Sequence, residues 1–163
     1  MTGQLDSALF KTVVINAPLV SIDLCLIFEE QILLGKRNYE PLKGQWFTPG
    51  GRILKDETWQ NALRRIAFTE LGIDIEEINA FELMGVWDHF YDNSYFGQNI
   101  STHYVNLPHF IKLEFKPTIF EDDQHEEFAW FNLSRVASDE LFDDNIRSYA
   151  AHLVHKVEKY VIT

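Results

Sequence analysis

Residues 50 to 72 read Gly50-Gly51-Arg52-Ile53-Leu54-Lys55-Asp56-Glu57-Thr58-Trp59-Gln60-Asn61-Ala62-Leu63-Arg64-Arg65-Ile66-Ala67-Phe68-Thr69-Glu70-Leu71-Gly72. Taken as a helix from about Thr58, the stretch spaces Trp59, Ala62, Leu63, Ile66 and Ala67 at three- and four-residue steps, on one apolar stripe. At ~100° per residue Glu70 falls on that stripe too, between Trp59, Leu63 and Ile66 in projection. A carboxylate aimed at a core needs a partner. Two partners fit: an arginine in a structural ion pair, or a divalent cation. The residues before the helix favour the cation, because glycine adds no Cβ and tolerates positive φ, so Pro49-Gly50-Gly51 lets backbone approach a ligand closely. Asp56 or Thr58 caps the helix start, and Gly72 suits its end.

At 163 residues the chain is long enough for one well-buried domain and too short for two ordinary ones, so a single domain over 1–163 is expected. Apolar residues make up 46% and charged residues 24%, without repeats or low-complexity tracts, which excludes general disorder. A formal net charge of -11 repels a polyanionic backbone, and no basic run offers a footprint for nucleic acid. A small phosphorylated ligand remains compatible, since a few converging arginines suffice locally. The single cysteine, Cys25, sits in an apolar strand and reads as a packed thiol in a reducing compartment. Residues 1 to 17 lack a basic start followed by an apolar run, and no stretch approaches the length of a membrane span. A cytoplasmic protein with no membrane contact is expected.

Ser7 to Ile15 carries Leu9, Phe10, Val13 and Val14 at helical spacing and stops before Ala17-Pro18. Leu19 to Phe28 and Gln31 to Arg37 read as strands of a hairpin turning at Glu29-Glu30. Asp23 shares a face with Ser21 and Cys25, which lines either a polar cavity or a solvated sheet face. Arg37 ends the second strand, Tyr39 to Gln45 reads as a loop, and Arg52 follows the glycines. The two arginines are either solvated charges or a clamp for a diphosphate.

Residues 79 to 92 and 99 to 115 read as long strands flanking Asn93 to Gln98, with Trp87, Phe90, Tyr91, Tyr95, Phe96 and Tyr104 around the connection for packing or for stacking on a base. Of the two histidines among them, His89 is the better functional candidate over His103, because Asp88 and Tyr91 make its surroundings polar. The acidic run Glu121 to Glu127 contains Gln124 and His125, an oxygen ligand beside an acid-base side chain. Phe128 to Phe131 reads as a short core strand and Asn145 to Tyr160 as an amphipathic helix.

Gly51, Glu57, Arg65, Glu70, Gly72 and Ile73 match in register the pattern G-x5-E-x7-R-E-U-x-E-E-x-G-U, with U a bulky apolar residue, so this stretch resembles the Nudix box. Ile66 and Thr69 stand where that box has glutamates, and Ala67 is small for its place. Six stretches extend the resemblance over the chain: 18–21, 33–37, 46–52, 85–92, 102–105 and 123–125. Together they resemble the GDP-mannose mannosyl hydrolase branch of the Nudix superfamily. The resemblance implies an α/β Nudix fold, a mixed β-sheet between α-helices. It implies hydrolysis of GDP-mannose, and of GDP-glucose, by water attack at sugar C1 with inversion, leaving GDP. One Mg2+, which Mn2+ replaces, would be held by Gly50, Glu70 and Gln124. His125 would be the base, and Arg37, Arg52 and Tyr104 would stabilise departing GDP. Arg65 would orient Glu70, and Asp23 and His89 would contact the sugar or diphosphate. In a homodimer the partner's N-terminal segment, with Leu5 and Phe10, would help bind guanine. The other readings are a Nudix pyrophosphohydrolase cleaving at phosphorus and a non-catalytic nucleotide-sugar sensor.

Overall fold

The run Leu19–Phe28 is apolar apart from Ser21 and Asp23, the pattern of a strand covered on both faces, and it forms the central strand β1. The computed structural model describes residues 5–75, 80–119 and 125–159. In order these form α1 (Ser7–Asn16), β1 (Leu19–Phe28), β2 (Gln31–Arg37), β3 (Trp46–Phe47), β4 (Gly50–Arg52), α2 (Trp59–Leu71), β5 (Glu82–Leu83), β6 (Trp87–Tyr91), β7 (Thr102–Asn106), β8 (His109–Leu113), β9 (His125–Asn132), α3 (Leu133–Ser138) and α4 (Asp144–Lys159). Gln124 lies outside the described residues.

Each edge of β1 is shared by two partners. On one edge Leu19–Ser21 pair in parallel with β7 and Leu24–Phe28 in parallel with β8. On the other, Ser21–Asp23 pair antiparallel with β4 and Ile27–Phe28 with β2. The sheet continues outward through β6 on β7, β5 on β8, and β3 and β9 on β2. The expected long strands at 79–92 and 99–115 are therefore each divided. Pro108 has no N–H to offer the ladder and separates β7 from β8, while Gly85, at φ 123°, separates β5 from β6.

Alternation along β1 sends its side chains to two cores. Ile22, Leu24 and Leu26, with Leu33 of β2, pack on Ala62, Leu63, Ile66, Ala67 and Leu71 of α2. Cys25 and Ile27, with Ile32 and Leu34, pack on Val136 of α3 and on Ile146, Tyr149, Ala150 and Leu153 of α4. The result is a mixed sheet between α-helices, as expected, with α3 an element that the sequence reading did not anticipate. No helix among the described residues is long and apolar enough to cross a membrane.

The glycine-flanked helix takes the expected form. Thr58 caps α2 through its hydroxyl, and Gly72 closes it in the left-handed conformation at φ 68°. Trp59 departs from the buried stripe: at the first helical position it is 41% exposed and stacks on His109, ring centroids 5.2 Å apart. Before the helix, Glu57 and Arg65 form a bidentate pair at 2.7 and 2.8 Å. Arg65 also donates to the Arg52 carbonyl and Glu57 accepts from the Leu54 amide. Arg65 thus holds the loop over residues 52–57.

A Cβ at Gly50 would lie 2.5 Å from Asp23 Oδ1 and 2.7 Å from the Ile22 carbonyl oxygen. The second of these belongs to the central strand and has no room to yield. Gly50→Ala is therefore expected to lower stability by about 1–3 kcal/mol, read as a drop in the urea midpoint. An unchanged midpoint would mean that β4 shifts freely against β1.

Candidate active site

The polar face of the half-sheet made by β4, β1, β7 and β6 is met from α4 by Tyr149, which bonds Asp23 and packs on Trp87 and His89, and beyond these contacts it opens into a cavity. There Ser21 and Asp23 of β1, Thr102, Tyr104 and Asn106 of β7, and Gly50 and Arg52 of β4 floor a cavity of about 310 Å³. Phe10 and Val14 of α1 form one wall, and the loops over 38–45 and 92–101 the others. Asp23 therefore faces a cavity, not solvent.

Asp23 is the most perturbed acid in this lining. Its Oδ2 accepts a 2.9 Å bond from the hydroxyl of Tyr149. Burial raises its pKa to about 7, opposed by the Tyr149 hydrogen bond and by the charge of Arg37. Burial also raises the pKa of Tyr104, against the pull of Arg37 and Arg52, so this phenol and both arginines share one electrostatic environment. Arg37 is anchored by a 2.9 Å bond from Nε to the Pro41 carbonyl. The guanidinium carbon of Arg52 lies over the Phe10 ring, 3.8 Å from its centroid, and burial lowers the pKa of Arg52.

Beside the floor runs a buried chain of hydrogen bonds. The Ser21 hydroxyl donates to Asn106 Oδ1, and Asn106 Nδ2 donates to His89 Nδ1 at 2.8 Å. With Nδ1 accepting, the imidazole proton belongs on Nε2, which has no hydrogen-bond partner among the described residues. Burial pushes His89 down to about pH 4, so it is neutral near neutral pH. Its expected polar surroundings are only half present. Asp88 alternates to the opposite face, where it contacts His103 at 3.0 Å, and His89 instead packs against the rings of Phe47, Tyr91 and Tyr149.

Glu70 and His125 form a second group on the α2 side. Glu70 is 6% exposed, and its Oε2 lies 3.8 Å from His125 Nδ1. His125 packs under Gly35, where any Cβ would meet its ring at 2.4 Å, and against Phe128. It does not line the cavity. The link between the groups is the β2–β9 ladder, in which Arg37 and His125 are direct partners. Ile66, at a position where the box usually has glutamate, packs on Gly51. Among the described residues no three His, Cys, Asp or Glu side chains gather as a metal cluster.

The structure thus brings Asp23, Arg37, Gly50, Arg52, Tyr104 and Phe10 to one cavity, and sets Glu70 and His125 beside one another. Phe10 reaches the cavity of its own chain, whereas Leu5 is exposed and outside the lining. Tyr149 and Asn106 were missed. A tyrosine within the α4 stripe Ile146, Tyr149, Ala150, Leu153 carries a hydroxyl that must find a partner in the core, and that signal was available in the sequence.

A NUDIX domain family model matches residues 18–153. The chain belongs to the NUDIX family. Family membership carries the coarse activity, that of a Nudix hydrolase. The chain is 35% identical over 135 residues to the low-salt glycan biosynthesis protein Agl8 of Haloferax volcanii, covering 80% of this chain and 81% of that one. A MutT NUDIX hydrolase from Burkholderia pseudomallei superposes with a TM-score of 0.67 at 27% identity, over 84% of this chain and 98% of that chain. The dihydroneopterin triphosphate pyrophosphohydrolase of Escherichia coli shares the fold, with a TM-score of 0.65 at 17% identity over 84% and 95% of the two chains.

Because the folded Nudix domain holds the Asp23 proton more tightly than the unfolded chain does, the contribution of Asp23 to stability is fully present below the ordinary carboxylate pKa. It falls as pH rises toward about 7 and levels off above. Asp23→Asn, which cannot ionise, should gain stability over the parent across that window, by up to about 4 kcal/mol. Denaturant unfolding between pH 4 and pH 8 measures the difference. A gap that does not widen with pH would show that Asp23 ionises at its ordinary value.

Proposed function

We propose that the chain, acting as one domain over 1–163, hydrolyses GDP-mannose and GDP-glucose at sugar C1 and releases GDP and free hexose. The observation that carries the reading is the cavity itself. Two arginines and a phenol converge there, while a box position that usually carries a glutamate is filled by Ile66 packed on Gly51. A site poor in box carboxylates and rich in cations suits stabilisation of a departing diphosphate more than multi-metal activation of water. The likeness to a glycan biosynthesis protein supports a sugar nucleotide as substrate.

A single Mg2+, replaceable by Mn2+, fits the residues present. Glu70 is a carboxylate in an apolar stripe and Gly50 admits no side chain. We assign the Gly50 carbonyl, Glu70 and Gln124 as an oxygen donor set for a hard cation. When bound, the cation would neutralise charge on the diphosphate. Arg37 and Arg52 bind the phosphate oxygens, the Tyr104 hydroxyl donates to them, and Asp23 and His89 hold the sugar. His125 takes the proton of the attacking water, and Glu70 beside it stabilises the imidazolium that results. Asp23 is the second candidate for that proton, because it lines the cavity with a pKa of about 7. Leu9 and Ile15 are exposed on α1 beside Leu5, which suits burial in a homodimer, and light scattering would test this by returning twice the chain mass.

Hydrolysis in 18O-labelled water should place the label on sugar C1 and leave GDP unlabelled, with an α-linked substrate first yielding the β-sugar. Label on a phosphate would identify a pyrophosphohydrolase, and binding without turnover a sensor.

His125→Gln should lower kcat by about 10² to 10⁴ and abolish the acidic limb of its pH profile. If that limb survives in His125→Gln and disappears in Asp23→Asn, the base is Asp23.

A further inference from the structure

The two loops that wall the mouth of the cavity, 38–45 and 92–101, leave from Arg37 and Tyr91, the last residues of β2 and β6. Both residues line the cavity. Arg37 has a place in the reading above, and Tyr91 has none. A tyrosine hydroxyl holds one proton to give and lone pairs to receive with, so its partners decide what is left for a ligand. Tyr149 commits its proton to Asp23. Tyr91 is the opposite case. Its oxygen accepts a 3.2 Å bond from Asn145 Nδ2 of α4, and its own proton has no acceptor among the described residues.

The direction of that bond is imposed from behind. Asp143 caps the first turn of α4: its carbonyl accepts from the Arg147 amide at 3.0 Å and its Oδ1 from the Asn145 amide at 2.9 Å. Burial raises the pKa of Asp143, and hydrogen bonds from the Asn145 and Ile146 amides and from the Asn145 side chain pull it back. An ionised carboxylate accepts and does not donate, so the Asn145 side chain turns its nitrogen, not its oxygen, toward Asp143 and Tyr91. Turned that way it can only donate, and the Tyr91 proton is left for the cavity.

Tyr91 stands beside Tyr104, ring centroids 6.3 Å apart and planes at 72°. It faces Thr102 across the β6–β7 ladder, two residues from Tyr104 along the same strand face. Burial raises the pKa of both phenols and the Arg37 charge pulls on both, so both sit protonated in the field of one guanidinium. An anion gathered by Arg37 would meet two phenols, not one.

We infer that Tyr91 is a second phenolic donor to the diphosphate, beside Tyr104, and that Asn145 is the positioning residue that keeps its proton free for that bond. The inference rests on the cavity being a diphosphate site. A neutral phenol held in a desolvated wall stabilises charge that grows on the departing oxygen without first shedding a partner or a water shell. The other use of the Tyr91–Asn145 bond is to tie β6 to α4, and a tie works whichever partner donates. Exchanging donor for acceptor at position 145 separates the two uses.

Asn145→Asp makes that exchange at nearly constant shape, because its carboxylate would take the Tyr91 proton, keeping the tie and removing the donor. Release of GDP from GDP-mannose, and calorimetric affinity for GDP in Mg2+, are measured on the full chain for the parent, Tyr91→Phe, Asn145→Ala, Asn145→Asp, and Tyr91→Phe combined with Asn145→Asp. Tyr91→Phe should lower kcat about ten- to a hundredfold. Asn145→Asp should approach that loss and Asn145→Ala should lose less, with GDP affinity following the same order by smaller factors. In the Tyr91→Phe background Asn145→Asp should cost at most about threefold, the part due to its added charge. A loss through misfolding of α4 would be equal in both backgrounds, so the cycle reads the coupling even if a melting temperature falls. Parental kcat and GDP affinity in Tyr91→Phe, or a cost of Asn145→Asp as large without the Tyr91 hydroxyl as with it, overturns the inference. A parent that binds GDP but turns over no GDP-sugar loses the proposed reaction, and the GDP affinities then carry the same comparison. A parent that binds neither GDP nor pyrophosphate ends both.

Discussion

The structure depends on the hydrogen-bonding capacity of one strand. β1 has two edges, and each is used twice: β7 then β8 on one side, β4 then β2 on the other. The handover works because Pro108 ends one parallel partner before the next begins, so no ladder position is asked to donate an N–H it lacks. Everything else is arranged by strand alternation. Ile22, Leu24 and Leu26 commit one face to α2, whereas Cys25 and Ile27 commit the other to α3 and α4. On that second face the strand's first half carries Ser21 and Asp23, which floor the cavity, and Tyr149 of α4 meets Asp23 at its inner end.

That geometry leaves polar groups where water is scarce, and their partners define the site's character. Desolvation holds the Asp23 carboxyl at about 7 and the His89 imidazole at about 4, shifts of opposite sign with one cause: both environments disfavour charge. Tyr149 reaches from the hydrophobic core to satisfy Asp23, and Asn106 links Ser21 to His89. The cations Arg37 and Arg52 stand at the edge of the same region, one tied to a loop carbonyl and the other laid on an aromatic ring. An anion entering the cavity would therefore meet fixed positive charge, and floor groups that are neutral or easily made so.

Much of this was legible in the sequence because it is written in short-range patterns. The α2 stripe with its caps, the hairpin at Glu29-Glu30, the polar face through Asp23 and the closing helix all follow from spacing within a dozen residues. What was not legible depends on contacts distant in sequence. Nothing near Asp23 announces that its partner is Tyr149, and nothing near Phe10 that its ring lies on Arg52. The long strands were over-read because apolar runs at 79–92 and 99–115 mask the effect of one glycine and one proline. The family resemblance supplied the Nudix frame, but periodicity could not have shown that Arg65 grips Glu57 or that His125 lies beneath Gly35.

The grip of Arg65 on Glu57 bears on what a signature motif measures. Of the matching box residues, Glu57 and Arg65 shape the loop into α2, Gly51 makes room for Ile66 and Gly72 turns the chain out of the helix. Only Glu70 among them remains as a buried acid beside an ionisable neighbour. The motif is therefore mostly a description of joinery, a way of seating one helix against one strand. Such joinery can persist while the chemistry beside it changes, since the groups that would meet a ligand arrive from α1, β1, β2 and the two mouth loops. Divergence in this architecture is then best sought in the walls of the cavity, and recognition of the motif dates the frame more securely than it names the reaction.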